Sequence, residues 1–411
     1  MAGGTISAAP LQAGVLAERM RRARARTDDL FQLLQPDALY SRPVPERHRL
    51  IFYLGHLEAF DWNQICRQTL GIQSFQPDFD RLFEFGIDPP VGQAPSDQPS
   101  DWPMPREVRS YNDNVRKILD EVLAQAPEQM IHVVLEHRLM HAETLAYLLH
   151  NLPYQEKIAE QPIPRLPSRT LVSSWIEIPA GEATLGQKAD EFGWDNEFDR
   201  HSVRVPAFEI RTYKVTNGEY LAFVRQGAAP PHFWRQRDGE WYYRGMFAEA
   251  PLPLNAPVYV THAEASAYAR WSGQALPTEA QFHRAAFGTP SGQERSYPWG
   301  EESPDSNRGN FDFHDWDPVD VDANPAGDSA FGVSQLVGNG WEWTATQFGP
   351  FPGFQPFSFY PGYSKNFFDE AHYVMKGASP RTDSCFLRCS FRNWFRPDYP
   401  YVYAGFRTVE K

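Results

Sequence analysis

The spacing of apolar residues divides the chain into two textures. As far as about residue 150, apolar positions recur at intervals of three and four, which predicts helices over 11–35, 46–70, 106–124 and 127–150. In the second, Phe52, His56, Phe60 and Asn63 share one face. In the fourth, Val134, Leu145 and Leu148 form a stripe beside His137 and His141, so this pair is expected to point inward. Gly71 closes the second helix, and Asn151-Leu152-Pro153 closes the fourth. Residues 76–106 are rich in Pro and Asp and lack a helical period, a pattern that predicts a long irregular crossing of the functional kind. Four helices with one long crossover predict a bundle over 1–152.

Pro153, Pro162, Pro164 and Pro167 mark 153–170 as a linker. Beyond it, over 171–411, short β-like runs alternate with Gly, Pro and Asn turns, and most of the 28 glycines fall here. The expected class is therefore α+β, a helical bundle followed by a largely irregular domain with small antiparallel sheets.

Composition narrows the function. The 411 residues suffice for two or three domains. A net charge of −13 disfavours nucleic acid and anionic membrane surfaces, because binding there rests on neutralising phosphates. Within 11–35, the run Arg21-Arg22-Ala23-Arg24-Ala25-Arg26 is followed by Asp28 and Asp29 and reads as a solvated helix face. No apolar run approaches the ~20 residues of a membrane span, and Met1 to Pro10 lacks a signal-peptide layout. Cys66, Cys385 and Cys389 are too few for a disulfide framework, so a cytoplasmic location is expected. The Cys385-x3-Cys389 spacing suggests a metal pair less readily than two small hydrophobes packing from a strand.

His137 and His141 stand one turn apart on a helix, so both imidazoles can reach one ion. His56, in Tyr53-Leu54-Gly55-His56-Leu57-Glu58, offers a third ligand. Three neutral imidazoles with open positions make a catalytic rather than a structural metal site. The competing reading of the His137-x3-His141 spacing is a surface coincidence or a pair of satisfied histidines without an ion.

Specific runs in the second half follow one family's order. They are Trp175 to Gly181, Phe208-Glu209-Ile210 with Lys214-Val215-Thr216-Asn217, Leu276-Pro277-Thr278-Glu279-Ala280, Tyr297-Pro298-Trp299-Gly300, Val337 to Trp343, and Ala404-Gly405-Phe406-Arg407. This half resembles the formylglycine-generating-enzyme/sulfatase-modifying domain, which implies a C-type-lectin-like fold. The first half resembles a DinB-like domain. Together, with Gly55-His56, His137-x3-His141 and Leu387 to Trp394, the chain resembles the ergothioneine-pathway sulfoxide synthase family. The resemblance implies non-haem iron(II) on His56, His137 and His141, O2 as co-substrate, and hercynine as the acceptor that gains a carbon–chalcogen bond. It also implies an active site where the two domains meet, and a structural Ca2+ near Asn339.

The departures from the family pattern are local. Met140 replaces a Gln before the second paired His, and Arg81-Leu82-Phe83-Glu84-Phe85-Gly86 replaces a Tyr-bearing motif. Phe395 replaces an Asp after Trp394, and Gly340 replaces a Val. Ligands kept and surroundings changed resemble the branch that makes selenoneine, with a selenosugar as donor in place of cysteine or γ-glutamylcysteine. Trp394 and Phe395 are the expected aromatic wall for hercynine's trimethylammonium. Asn393, Arg81 and Arg392 are the further substrate-binding candidates, an arginine fork suiting a carboxylate. Tyr360 and Tyr363 are candidate proton donors, with packing at an interface as their alternative role. The alternatives from other classes are a zinc thiol transferase of DinB type, a cysteine oxidase using Cys385 and Cys389, and a lectin-like binding module without a transition metal.

Overall fold

The computed structural model describes residues 9–84, 94–158 and 171–410, with the side chains of 9–13 left aside. The chain forms two compact units, Met1–Gln161 and Pro162–Lys411. In the first, α1 (Ala9–Gln32), α2 (Leu50–Asp61), α3 (Pro77–Leu82), α4 (Pro105–Val122) and α5 (Glu128–Asn151) make up the bundle. All twelve residues of α2 are buried, which makes it the central helix. The helix continues past Asp61 as a π-helical segment, Trp62–Thr69, and Gly71 ends it with φ +68°. α4 starts as its sequence directs: Pro105 opens the first turn, and the Glu107 carboxylate accepts from the Met104 amide at 2.9 Å.

Two expectations need correction here. The crossing 76–106 holds the short helix α3, begun by Pro77 with Asp78 and Asp80 in its first turn, where carboxylates suit the exposed amides. The linker does not begin at 153. Leu34 bridges Lys157, with Gln35 N–H donating to Glu156 O (2.9 Å) and Ile158 N–H to Leu33 O (2.7 Å), so 153–158 is stitched to the end of α1. The expected Pro162, Pro164 and Pro167 lie outside the described residues.

The second unit contains β1 (Trp175–Ile178), β2 (Gly181–Leu185), β3 (His201–Val205), β4 (Phe208–Arg211), α6 (Asn217–Arg225), β5 (Trp234–Arg237), β6 (Glu240–Arg244) and β7 (Glu249–Pro251). There follow α7 (His262–Trp271), α8 (Glu279–Phe287), β8 (Gly340–Gln347), β9 (Tyr373–Ala378), β10 (Asn393–Phe395) and β11 (Ala404–Gly405). The largest sheet runs β10-β9-β8-β11, antiparallel except for the parallel β8–β11 pair; β1–β4, β2–β3 and β5-β6-β7 are smaller antiparallel sheets. The expected α+β class holds.

The family-like runs have local physical jobs. Thr216, Thr261 and Thr278 each cap a helix, accepting from the amides of Glu219, Glu264 and Gln281, whose side chains return the bond. Gly338, Asn339 and Gly340 all take positive φ, the turn that leads into β8. Near the end of the chain, Arg407 grips Glu342 with two bonds of 2.7 and 2.8 Å, and Lys214 lies 3.2 Å from the same carboxylate, all three fully buried. Arg407 also donates to the carbonyls of Arg211, Thr212 and Ser334, which ties β4 to β8.

Removing one member of such a cluster leaves the others buried and uncompensated. Glu342→Gln should therefore destabilise the second unit by about 3–5 kcal/mol. Chemical denaturation followed by tryptophan fluorescence will read this; a variant within about 1 kcal/mol of the parent would show that the cluster is not what holds this unit together.

Candidate metal centre

α2 and α5 lie side by side, and their facing residues are imidazoles. Ligand nitrogens of His56, His137 and His141 all lie within 4.8 Å of one another. Among the described residues they are the one group of three or more His, Cys, Asp or Glu side chains close enough to share an ion. Ring centroids are 5.1, 4.9 and 4.5 Å apart, and each pair of rings meets at a steep angle. Phe60 stacks on His137 at 3.4 Å and Phe52 on His56 at 4.8 Å, so the face expected from the 4-residue spacing forms the site's apolar wall.

The hydrogen bonds leave the imidazoles ready for a metal. His56 Nδ1 lies 2.7 Å from the Phe83 carbonyl. A carbonyl only accepts, so Nδ1 carries the proton and Nε2 keeps its lone pair. That Nε2 is buried without a partner, as is Nδ1 of His137 and of His141. Burial is the main cause that pushes His56 down to about 4 and His137 and His141 well below the ordinary imidazole range; neighbouring imidazoles add to it. The three rings are neutral at pH 7. Buried, orphaned, neutral nitrogens in a cluster fit a bound transition metal, and three imidazoles suit iron, zinc or copper.

Behind the site lies a buried charge cluster that hydrophobic spacing does not reveal. Arg138, fully buried beside His137, donates to Glu58 (2.7 and 3.1 Å) and to Asp61 (2.6 Å). Arg116 bridges Glu58 to Asp28. For Glu58, burial works upward, but Arg138 and Arg116 outweigh it and hold the carboxyl below its usual range. Burial lifts Asp61 to about 6 against the pull of Arg138. The signal in the sequence is Glu58 and Asp61, three apart on a helix otherwise almost wholly apolar.

The other predicted residues fare unevenly. Arg81 is exposed on α3 and pairs with Asp78. Arg392 is buried and its donors are committed: Glu279 takes a fork of 3.0 and 3.1 Å, and Gly349 O and Asn196 O take the remaining nitrogen. Asn393 Oδ1 accepts from the Trp394 amide at 2.9 Å. Trp394 and Phe395 do not form one wall. They are consecutive in β10 and point to opposite faces. Phe395 stacks on Tyr399 at 5.0 Å. Trp394 stacks on Phe348 at 4.1 Å, with Tyr363 at 5.5 Å and Phe367 at 5.7 Å.

Tyr363 is itself stacked on Trp194 at 4.0 Å, and Tyr360 lies 5.7 Å from Tyr363. Burial, with Asp195 assisting, pushes the Tyr360 phenol up to about 12. Asp195 accepts from Ser364 through Oδ1, and burial raises its carboxyl above the usual range although Ser364 and the Phe357 and Asn196 amides pull it down. Trp194 and Asp195 were not foreseen; their approach to the Trp394 group depends on loops with no periodic signal. Cys385 sits in a 3-10 turn rather than a strand, Cys389 packs against the core, and burial raises the Cys389 thiol. The Asn339 amide is occupied within the protein, bonded to Val319, Asn310 and Gln335.

Comparison with known proteins agrees with this division. The sulfatase-modifying factor enzyme 1-like domain family matches residues 162–411, and the DinB superfamily matches 19–151. The hercynine oxygenase of Mycobacterium tuberculosis is 34% identical over 74% of this chain and 78% of its own. The chain belongs to the hercynine oxygenase family. Ergothioneine biosynthesis protein 1 of Neurospora crassa is 28% identical over 92% of this chain, which spans only 55% of that longer protein. The formylglycine-generating enzyme of Thermomonospora curvata is 27% identical over 44% of this chain and 74% of its own. Among the described residues no helix is long and apolar enough to cross a membrane.

His137→Ala removes one of three candidate ligands in a cluster whose other rings stay in place. Bound metal should fall from about one ion per chain to below about a tenth under the same loading, since three ligands are the minimum for a catalytic site. Elemental analysis with far-UV circular dichroism checks this; full metal occupancy in a folded variant would remove His137 from the ligand set.

Proposed function

We propose that this protein is an O2-dependent, non-haem iron(II) enzyme that joins a chalcogen to the imidazole C2 of hercynine. The observation that carries the reading is the triad His56, His137 and His141, the first two buried and the third partly so, with its orphaned ring nitrogens. Relatives named hercynine oxygenase support the acceptor. Bound iron(II) would supply the one-electron chemistry by which O2 is used. In the balance, C2–H and the chalcogen–H are lost, one oxygen leaves as water and the other stays on the chalcogen.

Hercynine's trimethylammonium has no N–H to donate, so it is recognised by π-faces and by unpaired negative charge. We assign this role to Trp394, with the Tyr363 and Trp194 rings beside it. Phe395, on the opposite face of β10, is assigned to the donor side, and Asn393 shares that face. Tyr360 stays protonated at neutral pH, which suits a proton donor; Tyr363 is the second candidate. Arg81, exposed and paired with the neighbouring Asp78, remains able to meet a carboxylate. Arg392 is assigned to support these loops through Glu279.

For the donor we favour a selenosugar, on the strength of Met140, Phe395 and the Phe83-bearing segment in place of the family's polar groups. The second reading is cysteine or γ-glutamylcysteine, favoured by the names of the relatives. A cytoplasmic location belongs to the same proposal, whereas the Asn339 side chain, engaged by Asn310, Val319 and Gln335, lends no support to the Ca2+ expected there.

An aerobic assay of iron(II)-loaded protein with hercynine tests all of this, with a 1-selenosugar, its thiosugar, cysteine and γ-glutamylcysteine in competition. A selenium adduct by mass spectrometry supports the favoured donor; a cysteine or γ-glutamylcysteine sulfoxide supports the second; no hercynine adduct with any donor sinks the activity. Trp394→Ala should raise KM for hercynine by about 2- to 30-fold, the span of ~0.5–2 kcal/mol for a cation–π contact, and cost unmethylated histidine less, because its ammonium can be held by hydrogen bonds instead. Equal losses for the two acceptors would remove Trp394 from the trimethylammonium site.

A further inference from the structure

Gly55 precedes a metal ligand in a helix where nothing in the backbone calls for glycine. It is not among the glycines with positive φ, and it costs α2 about 0.5–1 kcal/mol relative to alanine. What requires it is a neighbour. A Cβ placed on Gly55 would lie 2.6 Å from three atoms of the Phe83 ring, which no real contact tolerates. The ring is fully buried on the bare stretch of α2. It is held there by Phe79 at 5.6 Å, Trp102 at 6.1 Å, Phe52 at 6.4 Å and Tyr111 at 6.4 Å. The backbone of the same residue presents its carbonyl to His56 Nδ1 at 2.7 Å. Two adjacent residues of α2 thus meet two parts of one residue from the crossing segment.

We propose that Gly55 and Phe83 form a lock that sets the tautomer and orientation of His56, so that the crossing segment is a working part of the metal centre. The ring docks only because Gly55 lacks a side chain. Docking places the carbonyl; the carbonyl fixes the proton on Nδ1 and presents Nε2 to the ion. Groups that hold a ligand's other nitrogen are worth 10–100-fold in metal affinity. Phe83 is here a positioning residue, acting through His56. The Phe83 side chain supplies the anchor and its peptide group supplies the chemistry, so side chain and carbonyl can be separated experimentally.

This inference rests on the metal reading of the triad, and the test keeps the two apart. Zinc(II) affinity is measured by chelator competition for the parent, Gly55→Ala, Phe83→Ala and the double variant, with circular dichroism for folding. Gly55→Ala should weaken zinc binding about 10–100-fold. In the Phe83→Ala background the same methyl should cost less than about threefold, because the ring it strikes is gone. Equal losses in both backgrounds, or no loss in Gly55→Ala, would overturn the lock. A parent that binds no zinc or iron(II) would instead overturn the triad itself. Should Gly55→Ala fail to fold, nitrogen-15 NMR of the zinc-loaded parent decides: a protonated His56 Nδ1 bonded to a carbonyl is expected, and a His56 protonated on Nε2 overturns the proposal.

Discussion

Three imidazoles sharing one buried pocket must all stay uncharged, and much of the first unit follows from that constraint. A single proton there would meet apolar walls and two neighbouring rings, which is why each of the three is held well below its ordinary range. Neutral rings with unused lone pairs are themselves costly, because a buried acceptor without a donor loses its hydration without replacement. The pocket is thus poorly satisfied on its own and becomes satisfied when a cation accepts the lone pairs. Metal binding and local stability are on this view the same free energy.

The same constraint explains the far side of α2. A helix buried along its whole length can carry ionic groups only if they are paired. Glu58 and Asp61 meet that condition through Arg138, which follows His137 directly on α5. One face of α5 thus supplies imidazole to the triad while the next residue clamps the carboxylates of α2. Sliding one helix along the other would break both sets at once. The ion pairs contribute register more than raw stability, because a buried pair barely repays its desolvation.

How much of this was legible in the sequence depends on whether a feature repeats. The helices, their inward faces and the His triad follow from spacings of three and four, and the structure has them. The family-like runs of the second half were legible as strings, and the structure shows that several are helix caps and a glycine turn, features written in three or four consecutive residues. What was missed is non-local or finer than a period. Short β10 gives no run long enough to display alternation, so Trp394 and Phe395 read as neighbours although they face opposite ways. Arg392 read as a free fork because its partner Glu279 lies 113 positions earlier. The helix α3 is too short to show periodicity, and the join of 153–158 to α1 is a backbone bridge that leaves no side-chain signature.

Strand parity also bears on specificity. If Trp394 with Tyr363 and Trp194 receives the trimethylammonium, then exchanging Asp for Phe at 395 cannot alter that contact directly, because residue 395 lies across the strand against Tyr399. An exchange of charge for an aromatic face there changes whatever meets the other side. An amino-acid donor carries an ammonium that a carboxylate would pair with; a sugar donor carries no such charge and offers C–H faces that pack on aromatic rings. On the proposed selenosugar reading, removing the carboxylate would penalise the amino-acid donor more than it helps the sugar. Specificity of this kind comes from the contact that is withheld.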